Sequence, residues 1–354
     1  MTIEHKIIDP HNAILGCLLG TALGDAMGLP TEGMTRNKAR VFHQDSVRHR
    51  LVFGRGMFSD DTEHTLMVAV ALMRHRDDVM AFQKSLGRAL RWWMLALPAG
   101  VGLSTARAIL KLWCGYPARR SGVRSAGNGA AMRSAIIGAV FADDIEKRRA
   151  FALAACRLTH TDPRAEESAL LVVEAAALAA AGVDTEIILE RLSALVTTRE
   201  MMERFGKLRA ALQGGISVGD YASQIGCERG VSGFAPNTVA VALYAWLRHR
   251  GDYCETLTAV IQCGGDTDTV AAIAGGICGT ELGESRIPAA WLAGICDWPR
   301  SVSYIRRIAA ALQRSVAGDE AGIPRLPVGA ILPRNILFLL IVLFHGFRRL
   351  LPPY

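Results

Sequence analysis

The 354-residue sequence predicts an all-α fold, a single compact multi-helical domain. Three observations carry that prediction. Strict apolar–polar alternation, the mark of half-buried strands, is almost absent, whereas long apolar windows with helical spacing recur. Hydrophobic residues make up 51% of the chain and aromatics only 6%, with Ala, Leu and Gly abundant, a balance that suits tightly packed helices better than sheets and argues against disorder. No Pro/Ser-rich linker and no regular repeat divides the chain.

Taken in order, the N-terminal MTIEHKIIDPHN mixes acids and bases and does not read as a signal peptide. Residues 14–27 form an apolar helix carrying Gly16, Gly20, Gly24 and Gly28 at four-residue spacing. Those glycines share one helical face and admit another backbone closely. Asp25 and the polar flanks favour a soluble buried helix over a membrane dimer. Further helices are predicted over 63–74, 79–97, 104–113, 130–141, 145–157, 163–181, 185–196, 199–212, 237–248, 254–262, 269–278, 288–294 and 302–313. The best-marked is 163–181, where Asp162 is an N-cap, Pro163 takes the first helical position and Gly182 stops the helix.

Residues 1–317 form the domain, and 318–354 a C-terminal tail. The tail holds ILFLLIVLF at 336–344. Nine apolar residues fall short of the roughly 20 a bilayer needs, so the expectation is a short buried helix and no transmembrane span. Membrane-surface or partner docking aided by Arg348 and Arg349 is the lesser alternative.

The net charge is +7, but the arginines are scattered as RHR, ARR, EKRR and IRR, which reads as a solvated surface and not as a nucleic-acid footprint. The eight cysteines form no CxxC pair and lie mostly in apolar stretches. They imply a reduced, cytoplasmic protein.

Two stretches share a design. FSDDTEHTLMVAVALM (58–73) and CGGDTDTVAAIAGG (263–276) each place paired acids and a hydroxyl against an apolar helix. Capping accounts for either alone, with Asp60 and Glu63 as a capping box. Both together exceed what capping needs. Four carboxylates brought close repel unless a cation sits between them, and oxygen ligands from Asp, Ser and Thr suit Mg²⁺ or Mn²⁺. Glu32, in GLPTEGM, is either a partly buried acid/base group or ligand beside such a centre, or a plain loop carboxylate. SAGNGAAMR (125–133) is a Gly-rich loop opening a helix. It suits an anion, matches neither the P-loop nor the dinucleotide fingerprint, and has a plain turn as its other reading. His160, in LTHTDP, precedes a helix start and is either structural or part of the same cleft.

In this order and spacing, GDAMGLPTEG, SDDT, GNGAAMR, THTDP and GGDTDT resemble the ADP-ribosylglycohydrolase family, whose bacterial prototype is the dinitrogenase-reductase-activating glycohydrolase. The resemblance runs from about Ile14 to about Ala311 and omits the tail. It implies an all-α fold of that type around two divalent cations, Mg²⁺ or Mn²⁺. Ser59, Asp60 and Asp61 look like one ligand set, and Asp266, Asp268 and Thr269 like the other. Glu32 and Asp61 become the catalytic candidates. The loop 125–132, with Ser125, Gly127, Asn128, Gly129 and Met132, matches the part that holds ADP-ribose, and His160 matches a pocket residue. Serine stands at 59 where the family often has threonine, which keeps the hydroxyl. The implied substrate is an ADP-ribosylated protein, often ADP-ribosyl-arginine. The alternative it leaves open is an immunity protein that neutralises a cognate ADP-ribosyltransferase toxin.

Overall fold

The computed structural model describes residues 9–44 and 46–348. Among them stand seventeen α-helices: α1 Pro10–Gly28, α2 Arg36–Phe42, α3 Asp60–His75, α4 Val79–Leu95, α5 Leu103–Trp113, α6 Ala135–Val140, α7 Ile145–Arg157, α8 Pro163–Ala181, α9 Thr185–Ser193, α10 Arg199–Gly214, α11 Val218–Gln224, α12 Ala235–Arg248, α13 Tyr253–Ile261, α14 Thr267–Leu282, α15 Ala289–Ala293, α16 Val302–Ala317 and α17 Ile331–Arg348. Extended pairing among the described residues is limited to isolated bridges. The all-α expectation holds in one compact domain.

The glycine face of α1 decides the architecture. A Cβ on Gly16, Gly20, Gly24 or Gly28 would lie 2.0, 2.2, 2.1 and 2.4 Å from the carbonyl oxygens of Gly279, Gly275, Ala271 and Thr267. The backbones of α1 and α14 therefore touch along four turns, which only glycine permits. This buried pair is ringed by α3, α6, α8, α12, α13 and α16, and the main apolar core is built around it. Because the seam runs the length of both helices, the end of α1 meets the start of α14. That meeting places the site.

Local signals behave as their chemistry demands. Asp162 accepts from the Arg164 N–H at the start of α8, and Gly182 closes it in the left-handed conformation at φ +62°. Three expectations are corrected. The predicted helix 130–141 is a 3-10 turn, Asn128–Arg133, followed by α6. Arg133 donates back to the Gly129 carbonyl (2.7 Å) and across to Thr159 Oγ1 (2.6 Å), which winds this segment tighter than an α-helix. The helix after GGD begins at Thr267, so Asp268 and Thr269 both lie inside its first turn.

The third correction concerns the tail. The nine apolar residues are the centre of an 18-residue helix, α17, and it is not buried. Phe338 packs on Leu29, Leu51, Met57 and Ala99, while Ile336, Leu337, Leu340, Leu343, Phe344 and Phe347 face outward. With the preceding turn, Val328–Arg348 is long and apolar enough by composition to cross a membrane, with only 17% of that window buried; the other such stretch, His11–Thr31, is wholly buried in the core. Arg349 and the N-terminal residues 1–8 lie outside the described residues.

Candidate active site

Asp25 interrupts an otherwise apolar helix, and a fully buried carboxylate must find donors. It finds them at the head of α3. Its oxygens accept the Ser59 N–H (2.8 and 2.9 Å), the Thr62 N–H (3.0 Å) and the Thr62 hydroxyl (2.6 Å). These are the backbone groups a local cap would serve. The N-cap residue of α3 is Ser59 and not Asp60, so the capping box expected from Asp60 and Glu63 does not form. With Asp25 serving these groups from α1, Asp60 and Asp61 are free of that duty. Burial pushes Asp25 up to about 6, although its hydrogen bonds act in the opposite sense.

The second acidic turn is aimed by its glycines. Gly264 and Gly265 sit at φ +69° and +85°, and a Cβ on Gly265 would lie 2.0 Å from the Val231 carbonyl oxygen. Gly265 exchanges backbone hydrogen bonds with Gly33 and Met34, and the Asp266 N–H donates to Val231 O (2.7 Å). Thr267 Oγ1 donates to Gly28 O at the end of α1 (2.7 Å). Asp266 occupies the N-cap position of α14 without capping it. Its Oδ2 instead accepts from Asn128 Nδ2 (2.7 Å), which brings in the Gly-rich loop.

The two turns meet. Thr269 Oγ1 donates to Asp61 Oδ2 at 3.3 Å, and Ser59 Oγ donates to the same oxygen at 3.2 Å. Burial, then repulsion from Asp25, Asp60 and Asp266, pushes Asp61 well above the carboxylate range. Asp268 is raised in the same way by burial and then by Glu32, Asp266 and Asp61, and Asp60 by burial and then by Asp25, Glu63 and Glu32. Glu32 caps the short 3-10 turn Leu29–Thr31 after α1. It is exposed, as its loop-carboxylate reading has it and its partly buried reading does not, and so stands at the rim of this field.

The loop expected to hold a ligand flanks the cluster. Ser125, Gly127, Asn128 and Gly129 are half-buried. Ser125 Oγ accepts from the Gly127 N–H (3.2 Å), and Asn128 donates its backbone N–H to Gly233 O (3.1 Å) and a side-chain N–H to Thr238 Oγ1 (3.0 Å). Met132 and His160 lie beneath it, both buried. The His160 ring sits where a Cβ on Gly127 or Gly129 would come within 3.3 or 3.1 Å of it, so the glycines let the loop rest on the ring. Burial and the buried Arg133 hold His160 down at about 3.

Among the described residues no three His, Cys, Asp or Glu side chains stand as a ready-made metal cage. The carboxylates lean on hydroxyls and on Asn128. Two of their oxygens, Asp61 Oδ1 and Asp268 Oδ1, are nonetheless buried without a hydrogen-bond partner. Orphaned carboxylate oxygens in an all-oxygen donor set fit a hard divalent cation.

In the sequence Asp25 is only a break in apolarity, and Thr238 carries no role. A lone acid inside a wholly apolar helix was the available signal for Asp25. Nothing local marks Thr238.

Residues 7–321 match the family described as ADP-ribosylglycohydrolase. The chain is 27% identical over 334 residues to ADP-ribosylhydrolase ARH3 of Gallus gallus, covering 78% of this chain and 87% of that protein. It is 25% identical over 293 residues to the ADP-ribosyl-dinitrogen-reductase glycohydrolase of Rhodospirillum rubrum, covering 80% of this chain and 90% of that one. A solved structure of an ADP-ribosylglycohydrolase-related protein complex superposes with a TM-score of 0.65 at 25% identity, covering 87% of this chain and 99% of its counterpart. The fold around the α1–α14 seam, the paired acidic turns and a family match spanning nearly the whole chain agree, and the chain belongs to the ADP-ribosylglycohydrolase family.

Proposed function

We propose that the chain frees ADP-ribose from ADP-ribosyl-arginine on a modified protein, with two divalent cations, Mg²⁺ or Mn²⁺, in the acidic cleft. Hydrolytic release of ADP-ribose is the chemistry of its family, and the chain is a glycosidic-bond hydrolase. The linkage and the ions are the finer part of the proposal. The observation that supports the ions is the Asp61–Thr269 contact, which joins both acidic turns beside the Gly-rich loop.

Ser59, Asp60, Asp61, Asp266, Asp268 and Thr269 would hold the ions, which when bound polarise a water and lower its pKa. The chain's own residues do the rest. The Gly-rich loop Gly127–Gly129 lies half-buried beside the cluster, where its glycines leave room for an anionic ligand, and Asn128 ties that loop to Asp266. In the reaction the water oxygen bonds to the anomeric carbon, the carbon–nitrogen bond to the guanidine breaks, and the leaving nitrogen gains a proton. Positive charge develops on the ribose ring, and the surrounding carboxylates stabilise it. Glu32, exposed at the rim, exchanges protons between site and solvent, and Asp61 is the buried carboxylate facing the reacting centre. His160, held neutral, supports the loop and transfers no proton. The eight unpaired cysteines support a reducing, cytoplasmic setting.

The test is release of ADP-ribose from an ADP-ribosyl-arginine protein, with Mg²⁺ or Mn²⁺ and with chelator. Release should need the ion and vanish in folded Asp60→Ala and Asp268→Ala. Undiminished release in both variants removes the metal reading.

A further inference from the structure

The acidic turn is held from in front by Asp25. It is also held from behind, by a residue of the tail. Arg334 lies on the first turn of α17, beyond the family match, which ends at residue 321. The side chain is buried, and every N–H of its guanidinium has an acceptor. Nη2 donates to the Phe58 carbonyl oxygen at 2.6 Å and to Asp297 Oδ2; Nε donates to Asp297 Oδ1 at 3.1 Å; Nη1 donates to Glu63 Oε1 at 3.3 Å and to Asn335 Oδ1 at 3.2 Å. The fork lies 4.4 Å from the ring centre of Phe338, the residue that roots α17 in its small apolar cluster.

Phe58 is the residue before Ser59. Its N–H is held by Asp297 (3.3 Å) and its carbonyl by Arg334, while the next N–H, on Ser59, is held by Asp25. The peptide that launches Ser59, Asp60 and Asp61 is thus clamped at three consecutive backbone groups by buried charged side chains from α1, from the segment before α16 and from α17. One turn into α3, Glu63 bonds to Arg300 (2.6 Å) as well as to Arg334. Generic packing of a terminal helix asks for apolar contact. It does not ask for a fully satisfied guanidinium set on the backbone of a ligand turn.

We propose that Arg334 is a positioning residue: docking of α17 through Arg334 sets where Ser59, Asp60 and Asp61 stand, and so sets the affinity of the cleft for a divalent cation. The inference rests on the metal reading of the cleft given above. It makes α17 part of the site's support, although no residue of α17 belongs to either acidic turn. By linkage the coupling runs both ways, so an ion in the cleft must also tighten α17 onto the body.

Two measurements on the full-length chain test it. The first is Mn²⁺ binding by isothermal titration, with circular dichroism and thermal melts as a check of folding. Arg334→Lys keeps the charge but loses the fork, and Arg334→Met with Asp297→Asn removes both charges together. Each should weaken Mn²⁺ binding by about ten-fold or more, the range for a lost outer-shell partner, and kcat should recover at saturating Mn²⁺. A folded variant that binds Mn²⁺ within two-fold of the parent overturns the proposal.

The second needs no variant. Amide hydrogen exchange over 331–345 of the unaltered protein should slow when Mn²⁺ is added. Exchange there that ignores bound Mn²⁺ overturns the proposal, and this measurement decides the matter if neither variant folds. A parent protein that binds no Mn²⁺ overturns the metal reading itself, and this inference with it.

Discussion

Thr269 Oγ1 rests 3.3 Å from Asp61 Oδ2, joining residues 208 apart in the chain. The contact exists because α1 and α14 lie backbone to backbone while Asp25 of α1 takes over the capping of α3. The α3 turn is thereby relieved of the local duty that its sequence suggests, while Asp266 stands at the head of α14 without capping it.

Asp25→Ala should therefore damage the site without touching a proposed ligand. It strips the Ser59 and Thr62 N–H groups and the Thr62 hydroxyl of their acceptor. Stability should fall by about 2–5 kcal/mol, the range for several buried donors left unmade. ADP-ribose release should fall by at least about 100-fold. Thermal melts and the release assay read the two losses separately. Stability and turnover both near the parent's would show that the α3 turn holds itself.

The acid cluster fixes a pH response. Asp25 is raised to about 6, and Asp60, Asp61 and Asp268 are raised well above the ordinary range. Between their ordinary and raised values the folded protein holds protons that the unfolded chain has released. The cluster's contribution is therefore greatest near pH 4 and is lost as pH rises through the raised values. Without divalent ions, the melting temperature should fall as pH rises from about 4 through the Asp25 value of about 6, and on through the raised values of the other three. Added Mn²⁺ should shrink or invert that slope, because the ion and the protons compete for the same oxygens. A slope indifferent to Mn²⁺ would contradict the arrangement.

Asn128 joins the Gly-rich loop to Asp266 and Thr238. Asn128→Ala should weaken Mn²⁺ binding by about 10–100-fold. Asn128→Asp should do worse, since it sets a carboxylate against a carboxylate. Titration calorimetry distinguishes them, and equal affinities for the two variants would show that repulsion plays no part.

His160 should be silent in the pH–rate profile, since burial and Arg133 keep it near 3. His160→Gln should raise KM, by loosening the loop that rests on the ring, and leave the shape of the profile unchanged. A limb near pH 6.5 that disappears in this variant would instead make His160 a proton carrier.

Gly265→Ala should cost more than about 2 kcal/mol, from the strain of a left-handed alanine and the collision with Val231 O. A chemical-denaturation midpoint close to the parent's would mean the turn can shift.

Much of this was legible in the residues. Gly16, Gly20, Gly24 and Gly28 announced a backbone partner, Asp162 and Gly182 bracketed α8, and the doubled acids announced more than caps. What stayed hidden was partnership at long range. Periodicity names the buried face of a helix, not the helix it meets, so Asp25 looked like an isolated break in apolarity. Arg334, Asp297 and Arg300 look like ordinary surface charges, and Glu63 like a capping partner, until the fold gathers them. The tail departs from its expectation because apolarity does not by itself imply burial. Among the described residues of α17, Arg334, Asn335 and Phe338 are buried on the body, with Ile341, Val342 and His345 seated beside them.

The α1–α14 seam also acts as a ruler. Its spacing is set by carbonyls that lie where the glycines' missing Cβ atoms would be, so the two backbones approach more closely than any side chain would allow. The width of the catalytic mouth is thus inherited from main-chain geometry and owes little to the surrounding leucines and valines. A single added methyl at Gly28 would meet the Thr267 carbonyl and wedge that gap open.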